Sequence, residues 1–105
     1  MTKTSAAAQP EIAHDLAGID VLTVLQALSD PVRLEIVRQL AANGQCMCGQ
    51  LVIPVAKSTG SHHLKTLAKA GITAEREEGT SKYLRLRHAE LEERFPGLLE
   101  SVLRS

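Results

Sequence analysis

The chain has 105 residues, enough for one domain with a single modest core. Apolar residues make up 44% of the sequence but aromatic residues only 2%, so this core must be built from Leu, Val, Ile and Ala, which favours packed helices over a β-sandwich. The net charge is zero, and the sequence has neither an apolar run that could span a bilayer nor a signal-peptide pattern. We therefore expect a cytoplasmic protein without a membrane partner.

Residues 1–11 are small and polar and include a proline, which indicates a disordered arm ahead of a single domain at residues 12–105. From Asp20 onward the apolar residues follow a helical period and predict a first helix of two to three turns. The apolar stripe of this helix comprises Val21, Leu22, Leu25 and Leu28.

A second helix is predicted to begin at Ser29-Asp30-Pro31 and to run to about Ala42. Asp30 can accept hydrogen bonds from the free N–H groups of the first turn. Pro31 suits the first helical position, where its missing N–H is not needed. Asn43-Gly44 then ends the helix.

Two further helices are predicted in the middle of the chain. Residues 46–52 predict a short third helix preceded by an extended or turn segment, and Pro54 follows it closely. Residues 56–71 predict a longer fourth helix, because small hydroxyl residues stand near its start and a glycine at its end. A short helix, a tight connection and a longer helix follow each other in this order in a helix-turn-helix.

The fourth predicted helix has two different faces. Its apolar stripe comprises Gly60, Leu64, Leu67 and Gly71. The other side carries Ser58, Ser61, His62, Lys65 and Lys69, and the segment contains no acidic residue. Such a face suits a DNA major groove, because hydroxyls and imidazoles can reach base edges and lysines can reach phosphates. From this segment alone, an amphipathic helix with a solvated face remains an equal alternative.

The charges are unevenly distributed along the chain. Residues 56–88 contain seven basic and three acidic side chains, a net charge of +4, and the segments on either side each carry −2. This predicts a local positive face on a neutral protein.

After Gly71 the apolar period becomes alternating, which predicts a two-stranded hairpin with its turn at residues 78–81. Lys82 lies near the predicted tip, and Arg85 and Arg87 lie along one face. A hairpin that follows a helix-turn-helix is a wing, and we expect its basic side chains to reach the phosphates beside the groove.

Residues 89–105 predict a helical tail that Pro96-Gly97 interrupts. A terminal helix of this length is marginal unless it packs. The tail and the first helix offer two apolar edges that so small a core cannot both bury, so we expect a homodimer. The expected interface residues are Val21, Leu22, Leu25, Leu98, Leu99 and Val102.

Three of these segments together resemble the ArsR/SmtB family of bacterial winged helix-turn-helix repressors. ALSDPVRLEIVRQLA at 27–41 is similar to the family's opening signature, KSTGSHHLKTLAKAGI at 57–72 to its recognition helix, and EGTSKYLRLR at 78–87 to its wing. The resemblance covers residues 19–105 and implies a mainly α fold, with five to six helices and a two-stranded antiparallel wing. It also implies a homodimeric repressor that binds an imperfect inverted repeat in double-stranded promoter DNA and leaves when an inducer binds.

The sequence departs from the family pattern at two positions of the recognition helix. Ala56 stands where relatives often carry a capping serine, so Ser58 is expected to cap instead. Gly60 replaces a larger apolar residue and should loosen the helix by roughly 1 kcal/mol relative to alanine.

We expect the DNA contacts to be of two kinds. Ser58, Thr59, Ser61 and His62 are assigned to base edges or their surroundings, and the phosphate contacts are assigned to Lys57, Lys65, Lys82 and Arg85. His63, adjacent to His62, is expected to pack at the flank of the helix.

The resemblance places thiolate ligands for soft metals or arsenite at Cys46 and Cys48. Residues two apart point the same way only in an extended segment, so a shared ion requires Cys46 to lie outside the third helix. Two thiolates are too few for a tetrahedral zinc site. A sensor of a thiophilic metal or metalloid ion, a redox sensor and two unoccupied cysteines all remain open. The start of the third helix is expected to lower the pKa of a nearby thiol.

Other functions have less support in the sequence. His88-Ala89-Glu90 is the sole match near the family's second, cross-dimer zinc site, so we expect no metal there. No serine–histidine–carboxylate grouping, phosphate loop or pair of acids suggests catalysis, and we expect a non-enzyme. The alternative from another class is a winged-helix protein-interaction module that does not bind DNA, for which an apolar or acidic recognition face would be expected.

Overall fold

The computed structural model of the chain describes residues 11–104. The five helices are α1 at Val21–Leu28, α2 at Pro31–Asn43, α3 at Lys57–Lys69, α4 at His88–Arg94 and α5 at Leu98–Arg104. The three strands are β1 at Gln45–Met47, β2 at Thr73–Glu78 and β3 at Ser81–Leu86, and 3-10 turns occupy Leu16–Gly18 and Cys48–Gln50. The predicted mainly helical, winged helix-turn-helix fold is confirmed. The arm predicted at residues 1–11 lies outside the described residues except for Glu11.

The predicted starts of α1 and α2 are confirmed by their capping hydrogen bonds. Asp20 Oδ1 accepts from the backbone N–H of Thr23 at 3.0 Å. Asp30 Oδ1 accepts from Val32 N at 2.8 Å and from Arg33 N at 3.0 Å, and Pro31 is the first helical residue. Gly44 ends α2 with a φ of +79°, a conformation that disfavours residues with a Cβ.

The prediction of a short third helix within residues 46–52 is wrong, because Cys48–Gln50 forms a single 3-10 turn. The extended segment predicted before it is β1, in which Cys46 pairs with Leu84 of β3. The pairing satisfies backbone groups of this segment, while Gly49 weakens any helix that would compete with the strand. The strand order is therefore β1-β3-β2, so the two-stranded wing belongs to a three-stranded antiparallel sheet.

The core lies between the helices and the sheet. Ile36, Leu40, Leu67 and Ile72 are fully buried in it. Leu99 of α5 is only 2% exposed and belongs to this same core. Because its side chain packs within its own chain, this burial does not support the predicted place of Leu99 in a dimer interface.

The apolar residues at the edge of α1 are more exposed than those of α5. Leu22 is 64% exposed, and Val21 and Leu25 are each 40% exposed, so this apolar edge is left uncovered. Leu98 and Val102 of α5 are partly buried against the core. The helices found in residues 11–104 are too short or too polar to cross a lipid bilayer.

Two glycines allow other segments of the chain to pack closely against α3. Gly60 lies against the segment before the helix, where an added Cβ would be 3.4 Å from Ile53 Cγ2. Gly71 follows the helix with a φ of +77°, and an added Cβ would lie 2.5 Å from Leu16 Cδ2. Gly71 therefore allows the segment before α1 to pack directly on the end of α3.

Candidate nucleic-acid interface

The start of α3 is not capped as predicted. Ala56 is the capping residue, and no side chain makes the capping hydrogen bond there. The predicted cap by Ser58 is wrong, because Ser58 is already the second helical residue. The free backbone N–H groups of this first turn point out of the helix beside Lys57, which makes the helix start favourable for anions.

The two faces of α3 are confirmed. Gly60, His63 and Leu67 are buried on one side. The other side exposes the side chains assigned to DNA contact, which are Lys57, Ser58, Thr59, Ser61, His62 and Lys65. The DNA contacts themselves remain predictions. The prediction that one histidine is exposed and the next packs at the flank is confirmed by His62 and His63.

A groove of about 480 Å³ separates α3 from the hairpin. Ser61 and Lys65 line it from α3, and Glu75 and Lys82 line it from the strands. The side chain of Lys82 is 46% exposed, and its Nζ lies 3.6 Å from Glu75 Oε2. Lys65 and Lys82 therefore place two ammonium groups along one groove, as a phosphate backbone beside a bound helix would require.

Arg85 lies on the opposite face of β3 from Lys82, since side chains alternate along a strand. Its guanidinium donates to Glu11 Oε2 at 2.7 Å and to Glu90 Oε2 at 2.6 Å. These hydrogen bonds raise the pKa of Arg85 and lower that of Glu11. The same contacts lower the pKa of Glu90 to about 2. The charge of Arg85 is thus engaged within the chain, which does not support the predicted phosphate contact.

Arg87 is only 8% exposed, so the expectation that it reaches phosphates is wrong. Its NH1 donates to the backbone oxygens of His14 at 2.7 Å and Gly71 at 3.2 Å. Its Nε has no hydrogen-bond partner among the described residues and lies 3.6 Å from Glu90 Oε2. Arg87 therefore holds the segment before α1 against the end of α3.

The two cysteines lie in β1 and at the start of the 3-10 turn that follows it. Cys46 is outside a helix, as a shared ion would require, but it is only 5% exposed. Cys48 lines the groove between α3 and the hairpin. Burial raises the pKa of the Cys48 thiol, with Lys82 opposing and Glu75 adding to the shift. The predicted lowering of a thiol pKa by a helix start is wrong for Cys48, because a single 3-10 turn follows β1 in place of a helix.

No complete metal site is present in the described part of the chain. Across residues 11–104, no three His, Cys, Asp or Glu side chains come together in a way that could hold an ion. Cys46 pairs with Leu84 in the sheet, so their side chains lie on the same face. Leu84 and Cys48 both line the groove between α3 and the hairpin. The two thiols therefore share a side of the sheet but have no third ligand there.

Two features of the site were not predicted. Arg33 of α2 lies 3.0 Å from Nδ1 of His63, and no periodicity in the sequence indicates this contact. Gln39 of α2 holds the segment before α3 by donating to Val52 O at 2.8 Å and accepting from Val52 N at 2.9 Å. Through these two contacts, α2 holds both α3 and the segment that leads into it.

The sequence of this chain is similar to a helix-turn-helix domain family and to proteins named as transcriptional regulators. The sequence model of a helix-turn-helix domain family matches residues 28–76. The uncharacterized HTH-type transcriptional regulator YceK of Bacillus subtilis is 39% identical over 82 residues, which cover 75% of this chain and 82% of YceK.

Two staphylococcal relatives have names that state a resistance function. A cadmium resistance transcriptional regulatory protein, a CadC homolog of Staphylococcus aureus, is 39% identical over 70 residues, which cover 65% of this chain and 58% of the relative. An arsenical resistance operon repressor of the same species is 33% identical over 75 residues, which cover 70% of this chain and 72% of the relative.

Proposed function

Because this chain belongs to the ArsR/SmtB family of winged helix-turn-helix transcriptional regulators, we propose that it is a homodimeric repressor of an inverted-repeat operator. The chain is a DNA-binding transcriptional regulator by its family, and the dimer, the operator and the signal are the parts we propose. The observation that carries the proposal is the exposed face of α3, which has hydroxyls, an imidazole and lysines and no acidic residue.

The DNA contacts follow from the exposure of this face. We assign Ser58, Thr59, Ser61 and His62 to base edges or their surroundings, and we assign the phosphates to Lys57, Lys65 and Lys82. Arg85 is left out of this set, since its guanidinium already binds the two carboxylates of Glu11 and Glu90.

The homodimer is supported by the uncovered edge of α1. Val21, Leu22 and Leu25 form an apolar strip on one helix, and a second copy of the chain is the partner that a palindromic operator requires. Leu98 and Val102 are partly buried and can extend the strip at its margin.

The signal is proposed to act on the thiols of Cys46 and Cys48. Cys48 lies in the groove between the recognition helix and the wing, so a group added to its thiol would change how these two elements meet DNA. The names of the cadmium and arsenical relatives support a thiophilic metal or metalloid ion. With two thiols and no third ligand in residues 11–104, these residues fit a tetrahedral ion poorly, and an oxidant is the second candidate.

One set of measurements tests the proposal. An operator is selected from a random DNA library by the purified protein, and binding is followed by fluorescence anisotropy. We expect an inverted repeat, bound by a dimer seen in light scattering. A clean monomer, or a protein that enriches no DNA sequence, would instead favour the protein-interaction module.

The signal is tested on the same operator, with cadmium or arsenite added to the reduced protein and with peroxide added separately after the reductant is removed. We expect cadmium or arsenite to release the wild type and to leave Cys46→Ser/Cys48→Ser bound. Release by peroxide alone would identify redox sensing. If all three reagents leave the affinity of the wild type unchanged, the cysteines do not carry the signal.

A further inference from the structure

One guanidinium group joins three helices of this fold. Arg33 belongs to α2, and its Nε donates to the backbone oxygen of Ala27 at 2.7 Å, while its NH2 donates to that of Gln26 at 3.4 Å. Both oxygens lie at the C-terminal end of α1, and Gln26 O also accepts from Ser29 N at 3.2 Å. Its NH1 lies 3.0 Å from Nδ1 of His63 on α3.

The chemistry of the pair sets the direction of the hydrogen bond. Arginine donates hydrogen bonds and cannot accept them, so Nδ1 of His63 is the acceptor in this contact. His63 is 9% exposed, so little solvent can replace Arg33 if this contact is lost. The guanidinium is planar with donors at fixed angles, and the carbonyls of α1 therefore set the direction in which NH1 points.

This contact adds a directional restraint to the apolar contacts of α3. Leu67 and Gly60 seat the helix on the core, but apolar packing has little directional preference. A hydrogen bond weakens steeply when its angle changes, so the Arg33–His63 contact opposes rotation of α3 about its axis. Ser61 and His62, which are assigned to DNA, lie immediately before His63 and would turn with it.

We propose that Arg33 and His63 are positioning residues that lock the recognition helix to α1 and thereby set the distance between the two half-sites read by the dimer. The inference rests on the proposed homodimer, because α1 carries the uncovered strip of Val21, Leu22 and Leu25. In a dimer joined through α1, the separation of the two recognition helices depends on how each α3 is held to its own α1.

The test measures the preference for half-site spacing. Wild type, His63→Leu and His63→Asn are compared on the selected inverted repeat, on the same repeat with its spacer changed by one base pair in either direction, and on a single half-site. We expect the wild type to bind the selected spacing more tightly than the altered spacings. In His63→Leu this ratio of affinities should fall roughly tenfold. Its affinity for the single half-site should change much less.

Two conservative variants separate positioning from folding. Asparagine has an acceptor, Oδ1, at nearly the place of Nδ1, so His63→Asn should recover part of the spacing preference. Arg33→Lys keeps the charge but loses the planar fork, so it should loosen the preference as His63→Leu does. If His63→Leu does not fold, Arg33→Lys decides the question.

A matched control removes one methylene from the buried face of α2, the helix that carries Arg33. Ile36 is fully buried, so Ile36→Val should lower stability and leave the spacing preference unchanged. If the wild type prefers one spacing and both His63→Leu and Arg33→Lys keep that preference, the positioning role is overturned while the proposed function stands. If the wild type is a monomer or prefers no repeat, the proposed function fails and the inference falls with it.

Discussion

The carboxylate of Glu90 accepts two hydrogen bonds from Arg85, at 2.6 Å from NH2 and at 3.2 Å from NH1. The same guanidinium binds Glu11, so one arginine on β3 connects the segment before α1 to α4. Glu11 lies 74 residues from Arg85 in sequence, so this cation ties the start of the described chain to the region of β3 and α4.

This cluster should make stability depend on pH in the acid range. Arg85 holds the pKa of Glu90 at about 2, against an ordinary value of 4.5. A carboxylate with a lowered pKa stabilises the fold above its unfolded pKa, and this contribution is lost as the pH falls from 4.5 toward 2. Glu11, whose pKa is lowered too, acts in the same direction.

The variant Arg85→Ala tests this by urea unfolding at several pH values. We expect it to be less stable than the wild type by about 1 kcal/mol or less at neutral pH, because the pairs are partly exposed. The difference should shrink as the pH falls below about 4.5. Arg104→Ala is the control, since Arg104 is 79% exposed and lies 4.0 Å from Glu100. A constant difference at every pH would show that the Arg85 carboxylate pairs are not the cause.

Lys82 and Arg85 should differ in their effect on DNA binding. Lys82 lines the groove beside α3, whereas Arg85 lies on the other face of the strand. Lys82→Ala should weaken binding to all sequences similarly and lower the salt slope by about 1 per half-site. Arg85→Ala should leave the slope unchanged. The opposite ranking would mean that the far face of the wing contacts DNA.

Gly60→Ala should stabilise the protein. The new Cβ would lie 3.4 Å from Ile53 Cγ2, an ordinary contact, and alanine is favoured in a helix by about 1 kcal/mol. Thermal unfolding measures the change. Gly71→Ala is the contrasting variant and should destabilise, because its Cβ would lie 2.5 Å from Leu16 Cδ2 at a φ of +77°. A lower melting temperature for Gly60→Ala would show that Ile53 cannot yield even slightly.

Leu22→Asp should convert the proposed dimer into a monomer. Leu22 is the most exposed residue of the apolar strip on α1, and a carboxylate there would face the same strip of a second copy. Light scattering at micromolar concentration measures the change. Val52→Asp is the matched control, because Val52 is 73% exposed but lies outside the strip. Equal masses for all three proteins would exclude α1 as the interface.

The parts of the fold that depend on neighbours in sequence were predictable. Asp30 caps α2 through N–H groups two and three residues away, so the sequence around Pro31 is sufficient to locate that helix start. The two faces of α3 were predictable for the same reason, because they depend on the helical period alone.

The parts that depend on distant partners were not predictable. Cys46 is in a strand because Leu84 offers it a backbone partner, and the segment by itself resembles the start of a helix. Arg85 has a pattern typical of a wing residue, but Glu11, which it binds, lies 74 residues away. The alternation of side chains along a strand predicts the face on which a basic residue lies. It does not predict whether that residue already forms an ion pair with a distant carboxylate.

The bridge between Ile12 and Glu75 has a consequence for solubility. β2 is an outer strand of the sheet, and Ile12 N donates to Glu75 O at 2.7 Å while Glu75 N donates back to Ile12 O at 3.0 Å. An uncovered strand edge can pair with the same edge of another molecule and begin an aggregate. Ile12 occupies part of this edge, and Arg76, Glu77 and Glu78 place charges along the rest. The segment before α1 thus protects the outer edge of the wing against pairing with a second molecule.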